Sequence, residues 1–383
     1  MDNFILELAA RIIESSDREH PADSVLRLQL KTHGGLSPRQ MGRVSRAVFA
    51  YFRWLEWLDQ QRGLSDQINQ AQELAERFVQ DPSSFSEAEL AAKVAPAWVG
   101  DEMEISGPWA RSLQGEPKVW LRARPDQGQA LAAKLCDPIH GAECLSFGEG
   151  ALSDALEFKG ETDLFRTPEF HAGEFELQDL SSQAVGLVCA PNPGETWWDA
   201  CAGEGGKMLH FSDLMKNQGL IWASDRAEWR LKRLKRRAAR AQVFNYRTKL
   251  WDGGSKLPTK TKFDGVLMDA PCSGVGTWHR NPHARWTTTV KDIEELGDLQ
   301  TRLLGHAAAA VKPNGKLIYA VCTLTRRETI GVVENFEKQF PMFKPLMLRN
   351  PLDVDGVESK EMRLRTEVCG GNGMFVAVWR REG

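Results

Sequence analysis

The stretch that decides the fold is Asp199-Ala200-Cys201-Ala202-Gly203-Glu204-Gly205-Gly206-Lys207. It follows an apolar run, Thr196–Ala200, entered through the turn signal Pro193-Gly194, and it leads into a helical pattern over Met208–Met215. A strand that passes through a glycine-rich loop into a helix opens an α/β sheet. The glycines allow a tight turn and close approach of a ligand, and the helix start offers unpaired N–H groups. Downstream the patterns alternate. A strand at Leu220–Ala223 ends at Asp225, a basic helix covers Ala227–Ala241, and strands are expected at Val243–Tyr246 and Asp264–Met268. A long helix at Val290–Val311 stops at Lys312-Pro313-Asn314-Gly315. A fifth strand at Lys316–Val321, a helix at Glu328–Phe340 and a last strand at Met374–Trp379 follow. This alternation predicts an open, mostly parallel, Rossmann-like sheet.

Three ligand classes compete for the loop. A phosphate-binding loop needs Gly, four residues, then Gly-Lys and a hydroxyl residue. Here Cys201 stands where the first glycine belongs and Met208 replaces the hydroxyl. A dinucleotide loop needs a third glycine, and Met208 sits there as well. S-adenosylmethionine has no pyrophosphate, so a small-residue loop with carboxylates suits it better. Residues Cys201, Ala202, Gly203, Glu204, Gly205, Gly206 and Lys207 would form the cradle. Asp225, ending the second strand, is placed for the ribose hydroxyls, and Asp252, after the third, for the adenine amino group. Arg230, one turn into the basic helix, and Asp269 are counted with them. Taken singly such acids are more often turn or cap residues; their order after successive strands makes the set.

The fourth strand runs into Asp269-Ala270-Pro271-Cys272-Ser273-Gly274, and the fifth ends at Cys322. One cysteine at a strand end is ordinarily core. Two at equivalent ends of parallel strands, one of them inside Asp-Ala-Pro-Cys, can meet across one crevice and point to covalent chemistry on a bound base. Lys207 belongs either to that pocket or caps a nearby carboxylate.

Residues 178–381 resemble the RsmB/Sun family of RNA cytosine-5 methyltransferases. The resemblance is carried by Gln178-Asp179, Ser181-Ser182-Gln183, the loop Cys201–Lys207, Asp269–Gly274, Gly276-Thr277, Arg280-Asn281-Pro282, Arg285-Trp286 and Tyr319–Cys322. It departs in two places: Gly203-Glu204 replace the family's Ala-Pro, and Val321 replaces the Thr before the second cysteine. The resemblance implies a class I methyltransferase fold with S-adenosylmethionine as cofactor. It assigns attack on cytosine C6 to Cys322 and release of the product to Cys272. Thiolate addition makes C5 enamine-like and able to take a methyl. Asp269 would contact the base edge at N3, and for that role would need to be protonated or to share a proton, which burial promotes. Ribosomal RNA is the favoured substrate. Transfer RNA, or a non-catalytic RNA-binding assembly factor on the same fold, are the alternatives.

Upstream, residues 1–110 read as an all-helical domain with a weak NusB-like resemblance. Met41, Val44, Val48, Phe49, Phe52 and Leu55 share a face opposite Arg39, Arg43, Arg46 and Arg53. Gly107–Pro117 reads as a linker, and residues 116–177 as a small α+β module before the catalytic domain at 178–383. Two basic stretches suit RNA: the run Arg226–Arg240, and the loop Gly276–Trp286 with Trp278, His279, Arg280, His283, Arg285 and Trp286. The chain has 383 residues and a net charge of -3, so charge distribution matters more than its sum. Seven scattered cysteines argue against a disulfide framework and for a reducing cytoplasm, and they form no metal-ligand set; Cys136 and Cys144 lack zinc-finger spacing. No apolar tract spans a bilayer, Met1-Asp2-Asn3-Phe4 does not read as a secretory signal, and no heptad or apolar stripe calls for a partner, so a cytoplasmic monomer is expected.

Overall fold

The computed structural model describes residues 2–136, 143–146, 152–353 and 355–383. It divides into two compact units: Met1–Pro117 with Gly274–Asp292, and Lys118–Ser273 with Ile293–Gly383.

The first unit is helical. Its longer helices are Asn3–Glu14, Ala22–Thr32, Pro38–Arg53 and Leu64–Gln80. Ser37 opens the third with a capping box to Gln40, and Pro38 presets its first turn. Val44, Val48 and Phe52 are buried against Ile5, Leu8 and Ile12. Two expectations fail in this unit. Gly107–Pro117 is not a linker: Ser106 accepts from the Trp109 amide, Pro108 sits in the first turn, and Gly107–Ser112 is a helix with Trp109 buried. Proline and glycine in that stretch start a helix instead of breaking one. Arg53 does not share the exposed face of Arg39, Arg43 and Arg46; it is buried and donates to the His279 carbonyl at 3.1 Å.

The expected loop from Gly276 to Trp286, which the structure turns into a helix at Pro282–Thr287, is likewise largely interior to this unit. Trp278, His279, His283 and Arg285 are buried. Arg285 donates to the Leu113 carbonyl at 3.1 Å, and Trp286 donates to that of Phe52 at 2.7 Å. Burial foremost, then Arg280, Arg53 and Arg285, pushes the His279 imidazole down to about 3. Four of the six side chains that made this stretch look like an RNA contact are therefore buried inside the unit.

The second unit holds two sheets. In the smaller, β1 (Val119–Ala123), β2 (Glu143–Ser146), β3 (Ala155–Lys159) and β4 (Phe175–Leu177) are antiparallel in the order β2-β3-β1-β4. A disulfide joins Cys136 to Cys144 beside it, a pair that the sequence reading considered only for zinc-finger spacing.

The larger sheet contains β5 (Thr196–Asp199), β6 (Leu220–Asp225), β7 (Tyr246–Leu250), β8 (Phe263–Asp269), β9 (Val311–Val321), β10 (Phe343–Pro345), β11 (Glu361–Leu364) and β12 (Met374–Arg381). Its order is β10-β12-β9-β8-β5-β6-β7, with β11 paired to β12. Strands β5 to β9 run parallel; β12 is antiparallel to β9. From β5 the chain builds outward to β7, then crosses back to β8. The carboxyl ends of β5 and β8 thus flank the point where strand order reverses, the usual place for a ligand crevice.

Two boundaries differ from expectation for readable reasons. The third strand is Tyr246–Leu250, not Val243–Tyr246. Val243 instead closes the end of the basic helix, its amide bonded to the Ala238 carbonyl after left-handed Gln242. The true strand is a half-exposed edge, so its Arg247-Thr248-Lys249 core looks polar. Strand β9 begins at Val311 because Lys312–Gly315 makes an irregularity inside the strand, with Asn314 left-handed, before the register resumes at Gly265↔Lys316. No helix among the described residues is long and apolar enough to cross a membrane.

Candidate active site

The carboxyl ends of β5, β6, β8 and β9 carry Asp199, Asp225, Asp269 and, one residue on, Cys322 to one edge of the larger sheet. The loop after β5 turns through Gly203 at φ 55° and Gly205 at φ 88°, into helix Gly206–Leu214. Gly205 is required twice over, since a Cβ there would lie 2.7 Å from Leu234 Cγ. At Gly203 and Gly206 a Cβ would meet nothing within 4 Å, so the loop borders open space. Asp225 ends β6 and is nearly buried. Its carboxylate accepts from the amides of Gly203 at 3.1 Å and Ala227 at 2.8 Å, which ties the loop to the strand end. Arg230 stands 3.7 Å from the same carboxylate.

A cavity of about 500 Å³ fills this edge. Cys201, Ala202, Gly203, Glu204, Asp225, Arg230, Asp252, Asp269, Cys272 and Cys322 all line it. Of the expected cradle, Gly205, Gly206 and Lys207 are not on its wall; they form the turn and helix start behind it. Asp252 is exposed at the rim and caps its own turn through the Gly254 amide at 2.8 Å. Cys201 is a wall residue whose thiol is pushed up by burial and then by Asp199, so it stays protonated.

The two remaining cysteines meet. Cys272 Sγ lies 3.2 Å from Cys322 Sγ, at the ends of β8 and β9, and both face the cavity. Lys207 donates to Asp269 Oδ2 at 2.7 Å. Burial pulls the Lys207 ammonium down, but the Asp269 carboxylate, with Asp199 and Cys322 beyond it, outweighs that and holds it above its ordinary value. Asp269 thus faces the cavity as the partner of a buried ammonium.

Sequence reading missed two acids. Asp199, the last residue of β5, is fully buried, and burial, then Asp269, against the pull of Lys207, raises its carboxyl to about 8. Its signal was present as the acid that closes the strand before the glycine loop. Glu328 is the other. Wholly buried, it accepts from the Ser273 amide at 2.8 Å, the Ser273 hydroxyl, Gln300 at 3.0 Å and Thr325 at 2.8 Å. Gln300 also donates to the Pro271 carbonyl at 2.9 Å. One carboxylate thus knots the segment around Cys272 to the segment after Cys322. No local pattern announces it, because its partners lie 28 and 55 residues away. The two departures from the family pattern have plain surroundings. Val321 is buried among apolar side chains. Glu204 accepts from Arg233 at 2.7 Å, and its carbonyl accepts from Arg237 at 3.2 Å, so the basic helix braces the loop where the family has proline.

The strand order, the single antiparallel strand β12 beside β9, and a cavity at the carboxyl ends of β5, β6 and β8 define a class I methyltransferase fold. Residues 186–380 match the family described as 16S rRNA methyltransferase RsmB/F, just over half of the chain, and the chain belongs to that family. A probable ribosomal RNA small subunit methyltransferase B from Synechocystis is 40% identical over 191 residues, 48% of this chain and 42% of that one. Its Bacillus subtilis counterpart is 33% identical over 274 residues, 70% and 60% of the two chains. A mouse 28S rRNA (cytosine-C(5))-methyltransferase is 35% identical over 191 residues, 49% of this chain and 24% of that one. The solved structure of a methyltransferase homolog from Pyrococcus horikoshii superposes with a TM-score of 0.59 at 27% identity, over 72% of this chain and 90% of that one. The chain spans about half the length of the curated relatives it matches first.

Proposed function

We propose that this chain is an S-adenosylmethionine-dependent RNA (cytosine-5)-methyltransferase acting on ribosomal RNA. The observation that carries the reading is the pair of sulfurs, Cys272 and Cys322, 3.2 Å apart on the wall of the 500 Å³ cavity. The ribosomal names of the relatives favour that substrate over transfer RNA. The expectation of a cytoplasmic monomer goes with this reading.

The cavity's chemistry fits the cofactor. Four carboxylates, Glu204, Asp225, Asp252 and Asp269, face it, which suits hydroxyl and amino donors and a cation and would repel a pyrophosphate. Loop residues Cys201 to Gly203 and Asp225 would hold it, with Arg230 and Asp252 at the rim. When bound, S-adenosylmethionine supplies an electrophilic methyl on its sulfonium. Cys322, as thiolate, forms a bond to cytosine C6, and the electron pair of the C5–C6 double bond moves toward C5. The Lys207–Asp269 pair holds a proton beside the ring N3, where negative charge gathers. After methylation Cys272 assists loss of the C5 proton; the C6–sulfur bond then breaks and the double bond re-forms. Glu328 positions the segments that carry both thiols.

Bisulfite sequencing of small-subunit ribosomal RNA from cells carrying wild type, Cys322→Ala or no copy of the gene tests this. We expect one methylated cytosine in wild type and none in the other two. Methylation retained with Cys322→Ala removes that residue as nucleophile, and an unchanged pattern without the gene removes the reading.

A further inference from the structure

We propose that Trp229, Lys232 and Arg236, a single stripe on the basic helix Glu228–Arg240, grip unpaired RNA next to the target base. The inference rests on the reading that the substrate is RNA.

The eight cations from Arg226 to Arg240 divide cleanly. Arg237 and Arg240 pair with the buried Glu176 at 2.8 and 2.6 Å, and Arg124 joins them at 2.9 Å. Burial would raise the Glu176 carboxyl, but Arg237 and Arg240 hold it below its ordinary range. Those two arginines therefore belong to the fold. Arg233 is committed to Glu204. Arg230 stands by Asp225. Arg226, Lys232, Lys235 and Arg236 are left exposed, and of these Lys232 makes only an exposed contact to Glu228 at 3.3 Å, a pair of small energetic consequence.

Positions 229, 232 and 236 fall at i, i+3 and i+7, one face of a helix. Trp229 is 52% exposed, high for the largest apolar side chain. The guanidiniums of Arg233 and Arg230 lie 4.9 and 5.4 Å from its ring centroid. A base stacked on this ring meets an aromatic face and positive charge together. Beside the stripe a groove of about 260 Å³ lies between the helix and edge strand β7; its charged lining is Lys232, Lys235 and Lys249 with the one acid Glu228. The surface is also continuous with the reaction cavity, whose wall includes Arg226 and Arg230. A membrane suits this helix poorly: Leu231, Leu234 and Ala238 are buried, so Trp229 is the one large apolar side chain the helix exposes, too little to make an apolar face that enters lipid. Stacking needs a base that is not paired, so the occupant is a single-stranded segment.

The test is fluorescence anisotropy with a labelled, unstructured 12-nucleotide RNA containing one cytosine, across a potassium chloride series, using the full chain. The variants are Trp229→Ala and the double Lys232→Gln/Arg236→Gln. All three side chains are exposed, so both proteins should melt like wild type, and both should bind S-adenosylmethionine as wild type does. The double variant should bind about tenfold more weakly, and its log–log salt slope should be shallower by about 1.4, roughly 0.7 per cation removed. Trp229→Ala should weaken binding about tenfold with the slope unchanged. Wild-type affinity and slope in both variants would overturn the stripe while leaving the methyltransferase reading intact. Loss of binding to phosphatidylserine vesicles with RNA binding unchanged would also overturn it. Failure of wild type itself to bind the RNA would sink the underlying reading along with the stripe.

Discussion

Two stretches of this chain are written in nearly the same letters and do opposite things. The loop from Gly276 to Trp286 and the helix from Glu228 to Arg240 both mix tryptophan with arginine. In the loop, Trp278 and Arg285 are entirely buried, and Arg285 spends its donors on the backbone carbonyls of Arg53 and Leu113. In the helix, Trp229 is half out of the surface and Lys232 and Arg236 are exposed. Composition alone cannot separate the cases. Periodicity can: the helix buries Leu231, Leu234 and Ala238 on one face and leaves Trp229, Lys232 and Arg236 to solvent, whereas the other stretch has no such apolar stripe and its aromatics supply the core themselves. Burial turns arginine into a backbone clamp; exposure leaves it as a ligand for phosphate.

The largest expected effect lies on the buried side. Trp278→Ala should destabilise the helical unit by about 3–5 kcal/mol, since it empties a fully enclosed aromatic site, while Trp229→Ala should leave the melt unchanged. Denaturant titration followed by circular dichroism separates them. Equal effects would break the contrast.

Acids repeat the contrast on a smaller scale. Asp225 is tied by two amides, whereas Asp199 is sealed in and its carboxyl rises from 3.8 to about 8. The folded chain then keeps a proton that the unfolded chain releases near pH 4. The stability from this group is complete below the unfolded value and is lost as pH climbs toward 8. Asp199→Asn should flatten the stability profile between about pH 4 and 8, by on the order of a few kcal/mol at the alkaline end. Parallel profiles for the two proteins would show that Asp199 is ionised in the fold.

The smallest effect concerns position alone. Glu328→Ala should lower kcat about tenfold with S-adenosylmethionine affinity unchanged, because the segments around the two cysteines lose their common tether; Glu328→Gln should recover part of the loss. A variant that melts earlier but keeps wild-type kcat would make Glu328 a stabilising group only.

Much of the larger sheet was legible. The glycine loop, Asp225 at a strand end and the two cysteine-bearing strand ends follow from periodicity and from glycine's freedom at positive φ. What escaped was non-local. Edge strand β7 is too polar to read as a strand, and Glu328 acts through partners far along the chain. The Gly107–Ser112 helix shows a further limit. Its serine cap and first-turn proline were present in the sequence, but the surrounding glycines suggested a linker. Burial of Arg285 leaves no trace in local pattern at all, since its acceptors include the Leu113 carbonyl, 172 positions away.

The most direct measurement uses the Cys272→Ala protein incubated with S-adenosylmethionine and its RNA, then denatured and weighed by intact-mass spectrometry. The account predicts a covalent species with the mass of protein plus methylated RNA, which disappears when Cys322 is also replaced by alanine. No adduct in the single variant, or an adduct that survives loss of Cys322, would contradict it.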